Sequence, residues 1–201
     1  DRARYPLDAR RNYTPHPATL DDYRAMTRAC GIERGVLVQP SVYGNDNKCL
    51  LDALREGASD GNAFRGVVVP DAAASDDELL AMDALGVRGI RLNVVNPQML
   101  GNDDALALCA RMRTRGWHLQ VHLRLAGDGA ATLARLAERS AVPIVVDHFG
   151  RPAAGEALPS LLLDLVASGR VWVKLSAAYR IGTPPAYAEL APLVDALIAA
   201  N

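Results

Sequence analysis

Short apolar runs rich in valine, isoleucine and leucine punctuate this chain at near-regular intervals, over residues 35–41, 64–70, 87–95, 118–123, 143–149 and 171–177. Runs of this kind are the mark of strands buried on both faces, as in a parallel sheet. Between them, apolar residues recur at three-four spacing over 20–30, 47–56, 76–85, 103–115, 129–139, 158–168 and 187–200, which predicts helices. Thr19 before Asp21-Asp22, Ser75 before Asp76-Asp77 and Asn102 before Asp103-Asp104 are helix-opening signals. Acidic residues in a first turn also complement the helix dipole.

The order is strict: helix, strand, helix, strand, through to a final helix. Such alternation builds right-handed βαβ units on a parallel sheet. An open doubly wound sheet and a closed (β/α)8 TIM barrel both satisfy it. No strand leads into Gly-X-Gly-X-X-Gly, so a dinucleotide fold loses its best support. The six runs are two strands short of a barrel, and 201 residues fall below the ~250 of a typical one. A strand before Asp1 and another after Asn201 would complete it. The expectation is a single incomplete barrel domain over residues 1–201.

Half of the chain is hydrophobic and only 5% aromatic, so the core is built from Ala, Val, Leu and Ile. A net charge of −1 argues against a nucleic-acid partner. Lys48 and Lys174 are the only lysines; the other basic residues are arginines, which suit bidentate recognition of carboxylate or phosphate. Cys30, Cys49 and Cys109 form no Cys-X-X-Cys pair and fit buried free thiols in a reducing compartment. No apolar run approaches the ~20 residues of a membrane span, and the first residues lack a signal-peptide pattern. The expected localisation is cytoplasmic, with no membrane partner.

The candidate chemistry gathers where the apolar runs end, because barrel enzymes place their chemistry at the C-terminal edge of the strands. The first run ends in Gln39, Ser41 and Tyr43, with Asn45 and Asn47 beyond: neutral groups for a substrate, or a polar loop with Asn47 capping the next helix. Arg91 lies inside the third run, and a charge there must meet an acidic partner or an anionic ligand. Asn93 shares its parity and side. His122 ends the fourth run with Gln120 beneath it, and His148 ends the fifth, followed by Arg151. Two histidines on successive strand ends can converge on one metal ion or one carbonyl. Asp147 has the opposite parity and either faces the helices or orients a neighbour. Lys174 and Ser176 share one face of the last run, and Arg180 beyond them is either an anion clamp or a surface arginine.

The segments Arg11-Asn12-Tyr13-Thr14-Pro15, Val38-Gln39-Pro40-Ser41-Val42-Tyr43-Gly44-Asn45-Asp46-Asn47, Arg88-Gly89-Ile90-Arg91, Asp147-His148-Phe149-Gly150-Arg151-Pro152 and Lys174-Leu175-Ser176 occur together and in order. As a set they resemble the amidohydrolase superfamily, in the branch of 2-pyrone-4,6-dicarboxylate lactonases and related lactone hydrolases. The resemblance covers nearly the whole chain, and Asp-His-X-Gly-Arg-Pro is its most specific part. It implies a (β/α)8 barrel in which the six runs are strands two to seven, with a His-X-His pair on strand one and a catalytic Asp on strand eight, both outside this chain. It makes His148 the strand-six histidine and puts His122 at the end of strand five. Arg91 and Arg180 become substrate-carboxylate ligands, and Ser41 and Tyr13 substrate-contacting positions. The family's second arginine after Arg91 has no counterpart in Val94-Val95-Asn96-Pro97-Gln98, which departs from the pyrone-dicarboxylate pattern.

The reading that follows is a hydrolase of a carboxylated lactone or similar cyclic ester from aromatic-compound catabolism. His148 and His122 are its catalytic candidates, and also its metal ligands if one divalent ion, zinc foremost, is used. Arg91, Arg180, Ser41, Tyr13, Tyr43, Asn93 and Arg151 line the substrate. The expected partner is a small anionic substrate, with homo-oligomerisation left open. A zinc-dependent decarboxylase of the same superfamily and a non-catalytic binding protein or fragment are the rival readings.

Overall fold

The computed structural model describes residues 2–59, 64–95, 100–153 and 155–201. The chain forms two compact units, Asp1–Ile90 and Arg91–Asn201. In the first, an irregular segment leads into α1 (Leu20–Ala29), β1 (Val36–Val38), α2 (Lys48–Ser59), β2 (Arg65–Val68) and α3 (Asp76–Ala84). β3 (Val87–Asn93) begins in this unit and ends in the second. β1 pairs parallel with β2, Leu37 opposite Gly66, and β2 pairs parallel with β3, Val68 opposite Ile90. The helix signals of the sequence are used here. Thr19 Oγ1 accepts from the Asp22 N–H while the Asp22 carboxylate accepts from the Thr19 N–H, and Ser75 with Glu78 repeats the arrangement. A cap of this kind stabilises a helix by about 1 kcal/mol. α2 sits close on β2 because Gly66 has no side chain; a Cβ there would stand 2.8 Å from Leu54 and 3.0 Å from Leu50. Leu54, Val67, Val68, Leu79 and Ile90 form the buried core, each contributing roughly 2 kcal/mol.

The second unit contains α4 (Asn102–Arg111), β4 (His118–His122), α5 (Gly129–Arg139), β5 (Ile144–Val146), α6 (Ser160–Ala167), β6 (Val171–Val173) and α7 (Ala191–Ala200). β4, β5 and β6 are parallel neighbours, with Gln120 opposite Val145 and Val145 opposite Trp172. Just past β3, the Val94 N–H donates to the His122 carbonyl at 3.0 Å. Leu92, Trp117, Leu119, Val121 and Ile144 in and beside the strands, and Leu108, Leu133 and Leu162 on the helices, are buried. α4 opens one residue before the expected Asn102 cap: Gly101 occupies the cap in extended backbone, and Asn102 is already helical.

All six predicted strands are present among the described residues, each shorter than its apolar run. The polar exits of β1 and β5 leave the sheet through tight turns, Ser41–Tyr43 and His148–Gly150. Asn96, Pro97 and Gln98, where the sequence departs from the pyrone-dicarboxylate pattern, lie outside the described residues. Among the described residues no helix is long and apolar enough to cross a membrane. The thiols of Cys30, Cys49 and Cys109 are free.

Candidate active site

The second unit gathers a charged cluster around one carboxylate. Asp147, only 2% exposed, follows directly on β5. The Gln120 amide, inward on β4, donates to both of its oxygens at 2.9 and 3.2 Å. Lys174 Nζ lies 3.3 Å from Oδ1, and Arg91 Nε lies 4.0 Å from Oδ2. Arg91 therefore has the acidic partner its burial requires. Of the two options for Asp147, orienting a neighbour is the one taken: it holds two cations and an amide.

Directly after Asp147 the chain makes a left-handed turn. His148, Phe149, Gly150 and Arg151 all have positive φ, at 56°, 57°, 73° and 51°. Each non-glycine residue in that region costs roughly 1–2 kcal/mol. The turn is held by Gly150 N–H to Asp147 O, Arg151 N–H to His148 O, Phe149 N–H to Lys174 O and Leu125 N–H to Gly150 O, all between 2.8 and 3.1 Å. Phe149 is buried beneath it. Gly150 is needed for space as well, since a Cβ there would overlap the Leu125 side chain. The turn ends the strand alternation, so side chains after Asp147 no longer follow β5 parity.

Both candidate histidines stand here, with ring centroids 5.6 Å apart and planes at 80°. His148 Nδ1 is 2.9 Å from Ser176 Oγ. His122 Nδ1 is 3.2 Å from Asn93 Oδ1, and Arg151 donates to His122 Nε2 at 3.3 Å. A guanidinium has only donors, so Nε2 accepts; the ring proton sits on Nδ1 and points to Asn93. Burial, followed by the Arg91 charge, pushes His122 down to about 4 against a partial pull from Asp147. Burial also lowers His148, against Asp147, with Arg180, Lys174 and Arg151 adding to the shift. Both rings are therefore neutral near pH 7.

Arg180 ends a tight turn, Ala178–Arg180, with its guanidinium 5.3 Å from the Tyr179 ring centroid. It borders an open hollow of about 470 Å³ with Thr183 and Glu189. Its charge reaches both His148 and Arg151. Around two neutral imidazoles the second unit thus sets Arg91, Arg151, Lys174 and Arg180 against Asp147, a balance that favours an anionic ligand.

The remaining candidates belong to the first unit. Tyr13 and Tyr43 line a cavity of about 760 Å³ with His16, Pro40 and Cys49. Tyr43 and Cys49 share a side-chain hydrogen bond, and burial raises both. Ser41 starts the turn after β1 and is half-buried. Gln39 and Asn47 are framework residues. Gln39 Nε2 donates to the Gly44 and Asp46 carbonyls; Asn47 donates to Asn45 O and Val69 O and accepts from the Val69 N–H. The side-chain cap of α2 comes instead from Asp46, whose Oδ1 accepts from the Lys48 N–H.

Among the described residues no group of three or more His, Cys, Asp or Glu could hold a metal ion. The donors at hand also fit a metal poorly: the Nε2 lone pair of His122 already faces Arg151, and four cations surround the rings. The pairing of Ser176 with His148 and of Arg151 with His122 escaped sequence reasoning. Shared parity of Lys174 and Ser176 was the only available signal.

The sequence model of the family described as Amidohydrolase matches residues 1–200. The chain is 36% identical over 204 residues to 4-sulfomuconolactone hydrolase of Rhizobium radiobacter, covering 96% of this chain and 66% of that one. It is 29% identical over 213 residues to 2-pyrone-4,6-dicarboxylate hydrolase of Comamonas testosteroni, covering 96% and 67%. The chain thus spans about two thirds of the length of these curated relatives. A solved structure from Pseudomonas putida, assigned as a 2-pyrone-4,6-dicarboxylic acid hydrolase, matches with TM-score 0.76 and 37% identity over 96% of this chain and 71% of its own. A second, from Acinetobacter baumannii, matches with TM-score 0.76 at 22% identity over 98% and 72%, and supports the fold alone. These are barrel proteins, and the six alternating strands and helices are part of the same (β/α)8 fold. The chain belongs to the amidohydrolase family.

Proposed function

We propose that residues 1–201 form part of one barrel domain that hydrolyses a carboxylated lactone or similar cyclic ester. The observation that carries this reading is the pair of imidazoles, 5.6 Å apart, set among the guanidinium and ammonium groups of Arg91, Arg151, Lys174 and Arg180. The relatives named for lactone hydrolysis support the reaction class.

In this reading Arg91 and Arg180 hold a substrate carboxylate, and Asn93 and Arg151 complete the lining that the second unit supplies. His148 is the catalytic imidazole. With Ser176 donating to Nδ1, Nε2 carries the proton and hydrogen-bonds the lactone carbonyl, which gains negative charge as water attacks. The acyl carbon forms a bond to the water oxygen and releases its ring oxygen. That oxygen takes up the proton that the attacking water loses and becomes the hydroxyl of the opened acid. No step is assigned to a metal, because the described donors do not fit one.

The test is a hydrolysis screen of the natural full-length protein against carboxylated lactones and their methyl esters. The expected result is ring opening with a preference for the free acid of at least about tenfold. Carbon dioxide release without ring opening would contradict the reading and favour the decarboxylase.

A further inference from the structure

We infer that Lys174 is the positioning residue of His148: it locks the left-handed turn after β5 through Asp147 and through its own carbonyl, and it touches no substrate itself. The role rests on the hydrolase reading above for the reaction it serves. The clamp is a property of the fold whether or not a lactone is opened.

Lys174 meets the exit of β5 at three points. As the first residue past β6 it continues the ladder, its N–H donating to Val146 O at 2.9 Å. Its carbonyl accepts twice, from Phe149 N–H at 3.1 Å and from Ser176 N–H at 3.0 Å. Its ammonium lies 3.3 Å from Asp147 Oδ1. The double acceptance joins the two anchors of His148. Phe149 follows His148 in the chain, and Ser176 Oγ stands 2.9 Å from His148 Nδ1. A closed loop results, from the imidazole through Ser176, the Lys174 carbonyl and Phe149 back to the His148 backbone. A ring held at its backbone and at Nδ1 through one carbonyl has little freedom to swing.

The ammonium supplies what the backbone cannot. His148, Phe149 and Arg151 have positive φ, and such residues stay left-handed only where the surroundings enforce it. Asp147 begins the turn, its carbonyl accepting from Gly150 N–H at 3.0 Å. Its carboxylate is buried and must be neutralised to remain there. Arg91 Nε stands 4.0 Å away on Oδ2, so Lys174 is the nearer cation. The exit of β6 is left-handed as well, with Ala177 at φ 56°, and Arg180 N–H donates to Ala177 O at 2.9 Å. Lys174 thus stands at the foot of both turns. An ammonium already paired with a buried carboxylate is a weak ligand for a substrate anion, so its loss should act on the rate rather than on binding.

The experiment uses the natural full-length protein. Lys174→Met should lower kcat on a carboxylated lactone about thirtyfold and leave KM within about twofold. Lys174→Arg returns a cation to Asp147 and should recover kcat to within about fivefold of the parent; it keeps the test open if Lys174→Met does not fold. In Asp147→Asn the ammonium has already lost its partner, so adding Lys174→Met there should lower kcat by less than about threefold more. An unchanged kcat or a KM raised about tenfold in Lys174→Met, no recovery in Lys174→Arg, or a further loss of about thirtyfold in the double variant would overturn the inference. If the parent protein opens no lactone, the functional reading fails and the clamp is read by NMR. The Phe149 amide should then exchange at least about tenfold faster in Lys174→Met than in the parent, while the Leu119 amide in β4 keeps its protection. Equal changes at both amides, or none, would overturn the clamp.

Discussion

Two strands of this chain leave the sheet through tight turns, and the two exits use their polar residues in opposite ways. After β1, Gln39 and Asn47 bond almost entirely to backbone groups: Gly44 O, Asp46 O, Asn45 O and both polar groups of Val69. The exit is right-handed apart from Gly44 and holds a loop in place. After β5, Asp147 collects side chains, and the left-handed turn presents His148 and Arg151 to Ser176 and His122. A buried polar residue at a strand end is therefore not by itself a sign of chemistry. Side chains that bond backbone build the scaffold; side chains that bond other ionisable side chains across several strands build the site.

The largest expected effect falls on the second exit. Asp147→Asn removes the charge facing Arg91 and Lys174 and should destabilise the protein by about 3–5 kcal/mol in urea unfolding. A loss below about 1 kcal/mol would mean that the cluster is solvated and the contrast is overstated. At the first exit, Asn47→Ala strands the Val69 backbone groups and should cost about 2 kcal/mol in the same measurement, with kcat unchanged. A large fall in kcat there would place substrate at β1 as well.

The smallest effect is on acid stability. His122 binds a proton near pH 4 in the folded state, against 6.5 for an ordinary imidazole. The unfolded chain takes up more protons in that window, so its share of stability, complete above pH 6.5, is lost as pH falls toward 4. With its partial exposure discounted, thermal unfolding should show a loss on the order of 1–2 kcal/mol that His122→Gln abolishes. Stability that rises on acidification would contradict the neutral ring.

Much of this was legible in the sequence. β-branched runs located every described strand, and α5 occupies the whole predicted stretch of 129–139. Parity alone put Arg91 with Asn93 and Gln120 with His122, because a strand alternates as long as it remains regular. What stayed illegible begins where regularity ends. Nothing in the apolar pattern marks His148, Phe149 and Arg151 as left-handed, so the partners Ser176 and His122 were out of reach. The Asn102 signal misled by one residue: Gly101 holds the cap position in extended backbone, and Asn102 is already helical. For Gln39 and Asn47, composition could not separate a scaffold from a lining, since both uses need the same donors and acceptors.

The most direct measurement is the single-turnover rate of lactone opening by His148→Ala in the natural full-length protein, beside Asn47→Ala as the scaffold control. The account predicts a loss of about 10²–10⁴ in the rate for His148→Ala and a near-parental rate for the control. Parental turnover in His148→Ala would contradict it.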